Sequence, residues 1–303
     1  MGHAVRAISS NPRDAFEPTR LPVSIKAIPD PLRFVAFDPA GLPVRGTHSP
    51  ATLGIHPGLA VAFSERRQYW REQVLARRGG FDGQRAALVN FDCTEGVVNL
   101  LTAHRTYSDG LALRDSLESA RKSSLHLPPD VHFARPDPAV SWGMSLSCYV
   151  LLPHGHALCA QRALSLAVAP GLWTLNHSEV IEPDDIHPGS MSMLLDRLVE
   201  EELSTLKDLG VKKFVGLGLR QRSMSWQLIA VVDLRNEDPS RLVPALAALQ
   251  PDAETAAWGV FPLMNTASPD AHTMFPCHLR SPQGVIPDDL ETAQYLNQAI
   301  VSC

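Results

Sequence analysis

The sequence predicts an α/β (α+β) protein: a mixed sheet flanked by helices, with an N-terminal α+β extension. Three observations lead there. Of 303 residues 45% are apolar and 19% charged, enough for a substantial core. The C-terminal part runs strand, strand, short strand, helix, strand, strand, an order that suits a mixed sheet packed on helices. Between the parts lies "HLPPDVHFARPDPA", residues 126–139, with four prolines. Proline removes backbone donors and disfavours helix in the residue before it, so the stretch reads as a linker between residues 1–125 and 140–303.

In the N-terminal part, "PLRFVAFDPAGLPV" has an apolar run, a D-P-A-G turn and an apolar return, the pattern of a hairpin. "LAVAFSERRQYWREQVLARRGG" is helical by the spacing of Phe63, Tyr69 or Trp70, and Val74, with Gly79 and Gly80 past its end. Its arginines Arg66, Arg67, Arg71, Arg77 and Arg78 read as a solvated face. "AALVNFD" and "GVVNLLTAHRTY" read as strands, and "SDGLALRDSLESARKS" as a helix capped by Ser108 or Asp109.

In the C-terminal part, "MSLSCYVLL" and "ALCAQRALS" are strands around the turn "PHGHA", and "GLWTL" is short and extended. An acidic loop follows, with Glu179, Glu182, Asp184 and Asp185, then a helix over residues 190–206. Met191, Leu194, Leu195, Leu198 and Leu203 recur at helical spacing and give that helix one buried stripe. "KKFVGLGLR" and "WQLIAVVDL" are further strands. Trp226 and Phe214 suit either the core or a stacked base, and Trp173 is expected in the core beside the 190–206 helix. The tail "IPDDLETAQYLNQAIVSC" is a helix capped by Asp288 or Asp289, with Leu290, Ala293, Leu296 and Ile300 on one face.

A net charge of −5 and a pI near 6.2 argue against a general nucleic-acid binder. No apolar run reaches the roughly 18 residues that would span a membrane, so no membrane partner is expected. The opening "MGHAVRAISSNPRDAF" lacks the apolar stretch of a secretory signal. The five cysteines are widely spaced, without zinc-ligand or redox-motif spacing, and read as reduced thiols of a cytoplasmic protein.

The unusual feature is the run Glu200, Glu201, Glu202, close after the acidic loop. Adjacent like charges repel, and water, an arginine or a metal ion must offset the repulsion. A solvated helix face is the plainest reading of such a run.

Residues 143–235 resemble a Nudix hydrolase domain. The likeness rests on an ordered series: "CYVLL", "PHGHA", "LCAQRA", "PGLW", the loop, and "RLVEEELST" at 197–205. There Arg197 matches the arginine of the Nudix box and Glu201 and Glu202 its paired glutamates. The resemblance implies cleavage of a diphosphate linkage in a nucleoside diphosphate derivative or similar small molecule, with Mg2+ (or Mn2+) as cofactor. It makes Arg197, Glu201 and Glu202 the catalytic residues. The box departs from the pattern at Leu198, where a glutamate is expected, at Ser204, where a glycine is, and in a loop without glycine before Gly189. The helix alone then supplies too few oxygens, and Glu179 is the loop carboxylate expected to complete a metal set with Glu201 and Glu202. Glu182, Asp184 and Asp185 are expected to face solvent. Arg197, one turn before Glu201, is placed to pair with it. His177 is a candidate phosphate contact or an exposed loop histidine. N-terminal additions in such proteins shape the substrate site or a homodimer interface. Two functions follow: a metal-dependent hydrolase, or a catalytically lapsed fold that binds a ligand or regulates.

Overall fold

The computed structural model describes residues 32–75, 82–122, 139–141, 143–166, 169–187, 190–220, 225–263 and 275–301. Arg77, Arg78 and nearly all of the proline-rich linker lie outside them.

Among the described residues the chain forms two sheets and five α-helices. The larger sheet has the order β1-β9-β10-β5-β6-β11: Leu32–Phe37, Val211–Arg220, Ser225–Asp233, Met144–Leu152, His156–Arg162 and Thr255–Pro262. Two short strands join it, β7 (Trp173–Thr174) on β6 and β8 (Asn176–Val180) on β5. The sheet is mixed: β10 runs parallel to β5 and antiparallel to β9. The smaller sheet has β2 (Val44–Thr52), β4 (Val97–Thr106) and β3 (Gln84–Thr94), in that order. The helices are α1 (Ala60–Tyr69), α2 (Tyr107–Lys122), α3 (Met191–Glu202), α4 (Pro239–Ala247) and α5 (Pro287–Val301).

Alternation along β5 separates two cores, because successive side chains in a strand point to opposite faces. Met144, Leu146, Cys148, Val150 and Leu152 face a large cluster that includes Leu194, Leu195 and Leu198 of α3 and Leu113 and Leu117 of α2. Tyr149 and Leu151 face a second cluster with Ala293, Leu296 and Ile300 of α5. The expected packing of the 190–206 helix through Leu194, Leu195 and Leu198 is therefore present, though the α-helix stops at Glu202 and a single 3-10 turn, Ser204–Leu206, completes the stretch. The expected stripe on the C-terminal helix is present too. Trp226 and Phe214 are core residues.

Several expectations are corrected. β1 and β2 are no hairpin: β1 pairs with β9 and β2 with β4, so the D-P-A-G turn hands the chain from one sheet to the other. β1 thus lies before the linker yet belongs to the larger sheet. α2 begins at Tyr107, and its start is closed by Thr106 and Asp109, each side chain accepting from the other's backbone N–H, so neither Ser108 nor Asp109 is the capping residue. Asp288 and Asp289 sit in the first turn of α5 rather than at its cap. Trp173 packs with the α5 cluster, on the opposite face from the 190–206 helix. Arg67 and Arg71 are less free than a solvated face implies, pairing with Asp109 and Asp82.

One backbone position is demanding. Gly210 has φ +64, and a Cβ there would press on the carbonyl oxygen of Asp233. Gly210→Ala is expected to lose at least about 1–2 kcal/mol from the left-handed backbone alone. Urea unfolding midpoints of the two proteins check this.

Candidate functional site

The local sequence places Glu179 by strand alternation. β8 pairs antiparallel with β5, setting Glu179 beside Leu146 and His177 beside Cys148, on the α3 face, while Asn176, Ser178 and Val180 face the other way. The stretch read as loop therefore starts as a strand, and the strand fixes the carboxylate. Arg197 meets it from the middle of α3: its Nε donates to Glu179 Oε1 at 2.8 Å and its Nη1 to Asp185 Oδ1 at 2.6 Å. Arg197 thus pairs with Glu179 and Asp185, in place of the partner expected for it, Glu201. These two carboxylates hold the guanidinium well above its ordinary range, Asp185 contributing most.

Asp185 is the clearest correction among the acids. It is buried, and a one-turn 3-10 helix, Pro183–Asp185, aims it inward, with Asp185 Oδ2 accepting from the Glu182 backbone N–H at 2.7 Å. Glu182 and Asp184 are exposed as expected. His177 is not an exposed loop histidine. It is buried and stacked on Trp258 at 5.5 Å between ring centroids, and burial lowers its pKa to about 4, so it is neutral at pH 7.

The three consecutive glutamates have three surroundings. Glu200 is exposed, with Lys207 Nζ 3.5 Å away. Glu201 is exposed. Glu202 is partly buried, and burial, then the charges of Glu254, Asp252, Glu179 and Glu201, push it up to about 7. Glu254 and Asp252, in the turn before β11, were missed by sequence reasoning. Nothing local marks them, since an Asp-x-Glu-Thr turn is read first as an Asx turn, and Asp252 does accept from the backbone N–H groups of Glu254 and Thr255.

Glu202 therefore feels the charges of Glu179, Glu201 and Glu254, and Glu179 feels that of Glu201. Among the described residues no three His, Cys, Asp or Glu side chains converge as a ready coordination set. The donor chemistry still suits a hard divalent cation: all four are carboxylates, and Glu179 Oε2 is buried with no hydrogen-bond partner. Such an orphaned anionic oxygen is costly unless a cation or donor meets it.

Glu179 and Glu254 also line a cavity of about 580 Å3. Tyr107, Leu111 and Arg114, spaced along one face of α2, form one wall, with Arg85 of β3 beside them. Ser145 of β5, Ser178 of β8, and Ser225 and Gln227 of β10 form the floor. Arg162 and Arg220 close the far side, where Arg220 is committed to Asp289, itself bonded to Thr174 Oγ1 at 2.6 Å. Arg197, Glu201 and Glu202 are not among the lining residues, so α3 stands behind Glu179 rather than on the cavity. The four arginines were not singled out as a group by sequence reasoning, because they come together only when the small sheet docks. The Ala86 N–H donates to Ile181 O at 2.9 Å and brings β3 against the end of β8.

No family model matches the sequence, and no curated protein matches it significantly. Among the described residues, no helix is long and apolar enough to cross a membrane.

The raised Glu202 has a consequence for the metal-free chain. The folded state holds this proton more tightly than the unfolded state, whose ordinary value is 4.5. Stability from this group is full below about 4.5 and is lost as pH rises through about 7. Urea midpoints in EDTA are expected to fall between pH 5 and pH 8, and Glu202→Gln is expected to flatten that slope.

Proposed function

We propose that the chain is a Nudix-type, metal-dependent hydrolase of a diphosphate linkage in a nucleoside diphosphate derivative or similar small molecule, acting in the cytoplasm. The observation that carries this reading is that Glu179, on the wall of a cavity lined by arginines, lies within range of the charges of Glu201 and Glu202 on α3 behind it. The fold agrees with it at the coarse level: a mixed sheet whose central strands β5 and β10 run parallel, with α3 packed on one face. Glu179, Glu201 and Glu202 would hold Mg2+ or Mn2+. Bound there, the ion would neutralise charge that builds on the phosphate oxygens. Arg197 acts by position. It grips Glu179 and Asp185 and so fixes where the Glu179 carboxylate points. Arginines along the cavity suit phosphates, since a guanidinium presents a planar fork of donors.

One observation favours a second reading, a lapsed enzyme that binds a ligand or regulates. Leu198 is fully buried in the core, where the Nudix pattern would have a glutamate. A turnover screen decides between them. Nucleotide sugars, dinucleotides, ADP-ribose, nucleoside triphosphates and isoprenyl diphosphates are each offered with and without Mg2+ or Mn2+. Metal-dependent release of a phosphorylated product supports hydrolysis. Binding without turnover across the set supports the second reading.

A further inference from the structure

The cavity has a floor on the α5 face of the sheet that the carboxylate group does not explain. Gln227 is only 7% exposed, yet its Oε1 has no hydrogen-bond partner among the described residues, and the Oδ1 of Asn176 is in the same position. Both residues line the cavity. A buried acceptor without a donor costs about 1–3 kcal/mol, so two such atoms on one cavity mark places where a ligand or solvent donor belongs. Strand register puts them on one face: Gln227 pairs with Ser145 across β10 and β5, and Asn176 pairs with Tyr149 across β8 and β5.

The wall above carries the opposite character. Arg85 comes from β3 in the N-terminal part, and its guanidinium carbon lies 4.3 Å from the centre of the Tyr107 ring, which also lines the cavity. Its stem runs along Gly143, where an added Cβ would meet Arg85 Cδ at 3.4 Å. The ring and the glycine flank the side chain and narrow its conformations, which lowers the entropy lost when an anion binds. Burial lowers its pKa to about 10, leaving it cationic at neutral pH.

We propose that this part of the cavity binds a phosphomonoester bearing hydroxyl groups, a sugar phosphate in chemical class, with the phosphate at Arg85 and hydroxyls donating to Gln227 and Asn176. This rests on the proposed function and deepens it by naming the piece that cleavage of its diphosphate would release as a phosphomonoester, and it assigns the N-terminal part a direct share in ligand binding. The anion selects for Arg85, and the orphaned acceptors favour a ligand whose sugar hydroxyls reach them while its phosphate stays at Arg85, which the short P–OH groups of inorganic phosphate held there do not do.

Isothermal titration of the full chain in EDTA tests it, with ribose 5-phosphate, inorganic phosphate and ribose as probes. Ribose 5-phosphate is expected to bind about tenfold or more tighter than inorganic phosphate, two hydrogen bonds being enough for that. Gln227→Leu keeps the size, removes the acceptor and is expected to erase most of the preference. Arg85→Met is expected to weaken both phosphate probes about tenfold or more, with Arg85→Lys in between. No ribose 5-phosphate binding by the wild-type chain, an unchanged affinity in folded Arg85→Met, or a preference that survives in Gln227→Leu would each overturn the proposal. The Glu201→Gln, Glu202→Gln double variant should bind ribose 5-phosphate normally here, so loss of the metal reading and loss of this site are separate results.

Discussion

Replacing Glu201 and Glu202 together by glutamine is expected to abolish divalent-cation binding and any hydrolysis of a diphosphate while the protein stays folded. Glu201 is exposed and Glu202 half-buried, so neither side chain is part of the apolar packing that holds α3 to the sheet, which is made by Leu194, Leu195 and Leu198. Glutamine keeps the shape and removes the charge. In Glu202 that also removes an anion which burial and four neighbouring carboxylates already disfavour, so the unfolding midpoint near pH 8 should hold or rise. Charge neutralisation by a bound metal contributes several kcal/mol to the transition state of phosphate chemistry, so a chain unable to hold the ion should lose roughly a thousandfold or more in rate. Metal affinity by titration, turnover of whichever substrate the screen finds, and a urea curve check the three parts of the expectation. Unchanged metal affinity would mean that the glutamate run is a solvated face and nothing more.

Leu198→Glu is expected to have the largest effect on stability. By the motif alone this substitution restores the missing acid of the box. By position it places a carboxylate where Leu198 is fully buried in the core with Leu194 and Leu195. The apolar contribution of the leucine, about 1.5–3 kcal/mol, is lost. The new group must be buried uncharged at a further cost of a few kcal/mol or drag the end of α3 out of the core. Together these approach the roughly 5–15 kcal/mol by which a whole domain is stable. We expect a chain that is unfolded, or unfolds at much lower urea, with no gain in metal affinity. A folded Leu198→Glu protein that binds the ion more tightly would mean that α3 turns about its axis when loaded, and that residue 198 is a ligand position.

These two substitutions mark how far the sequence can be read. The stripe on α3 and the stripe on α5 were legible because a helix buries residues at a fixed spacing, and Leu194, Leu195, Leu198, Ala293 and Leu296 report that directly. The strands β5, β6, β9 and β10 were legible as apolar runs bounded by turns. What could not be read is pairing. The chain from β1 to β2 looks like a hairpin locally, and only the larger sheet's demand for a strand beside β9 sends the two apart. The segment 239–262, with α4 and the edge strand β11, gave no motif, so Glu254 went unnoticed although its charge acts on Glu202. In the site, the choice of Glu179 from among four acids followed from the path of the chain past the helix, and the structure does bring it to Arg197. Asp185 was misjudged because the neighbouring proline and Asp184 suggest solvent, whereas one 3-10 turn is enough to bury the next side chain. Arg85 and Gln227 lie 142 positions apart and meet only through the docking of β3 on the sheet, which no local pattern encodes.

The central claim is that Glu179 completes a divalent-cation site with Glu201 and Glu202. It is tested most directly by titrating Mn2+ into the wild-type chain, Glu179→Gln and Asp184→Asn at one pH, with urea curves to show that each is folded. Glu179 carries the orphaned oxygen and lies within reach of the helix acids' charges, while Asp184 is exposed one residue before Asp185. The account predicts that Glu179→Gln loses as much Mn2+ affinity as Glu201→Gln and that Asp184→Asn binds like the wild type. Equal Mn2+ affinity in Glu179→Gln and the wild-type chain would contradict it.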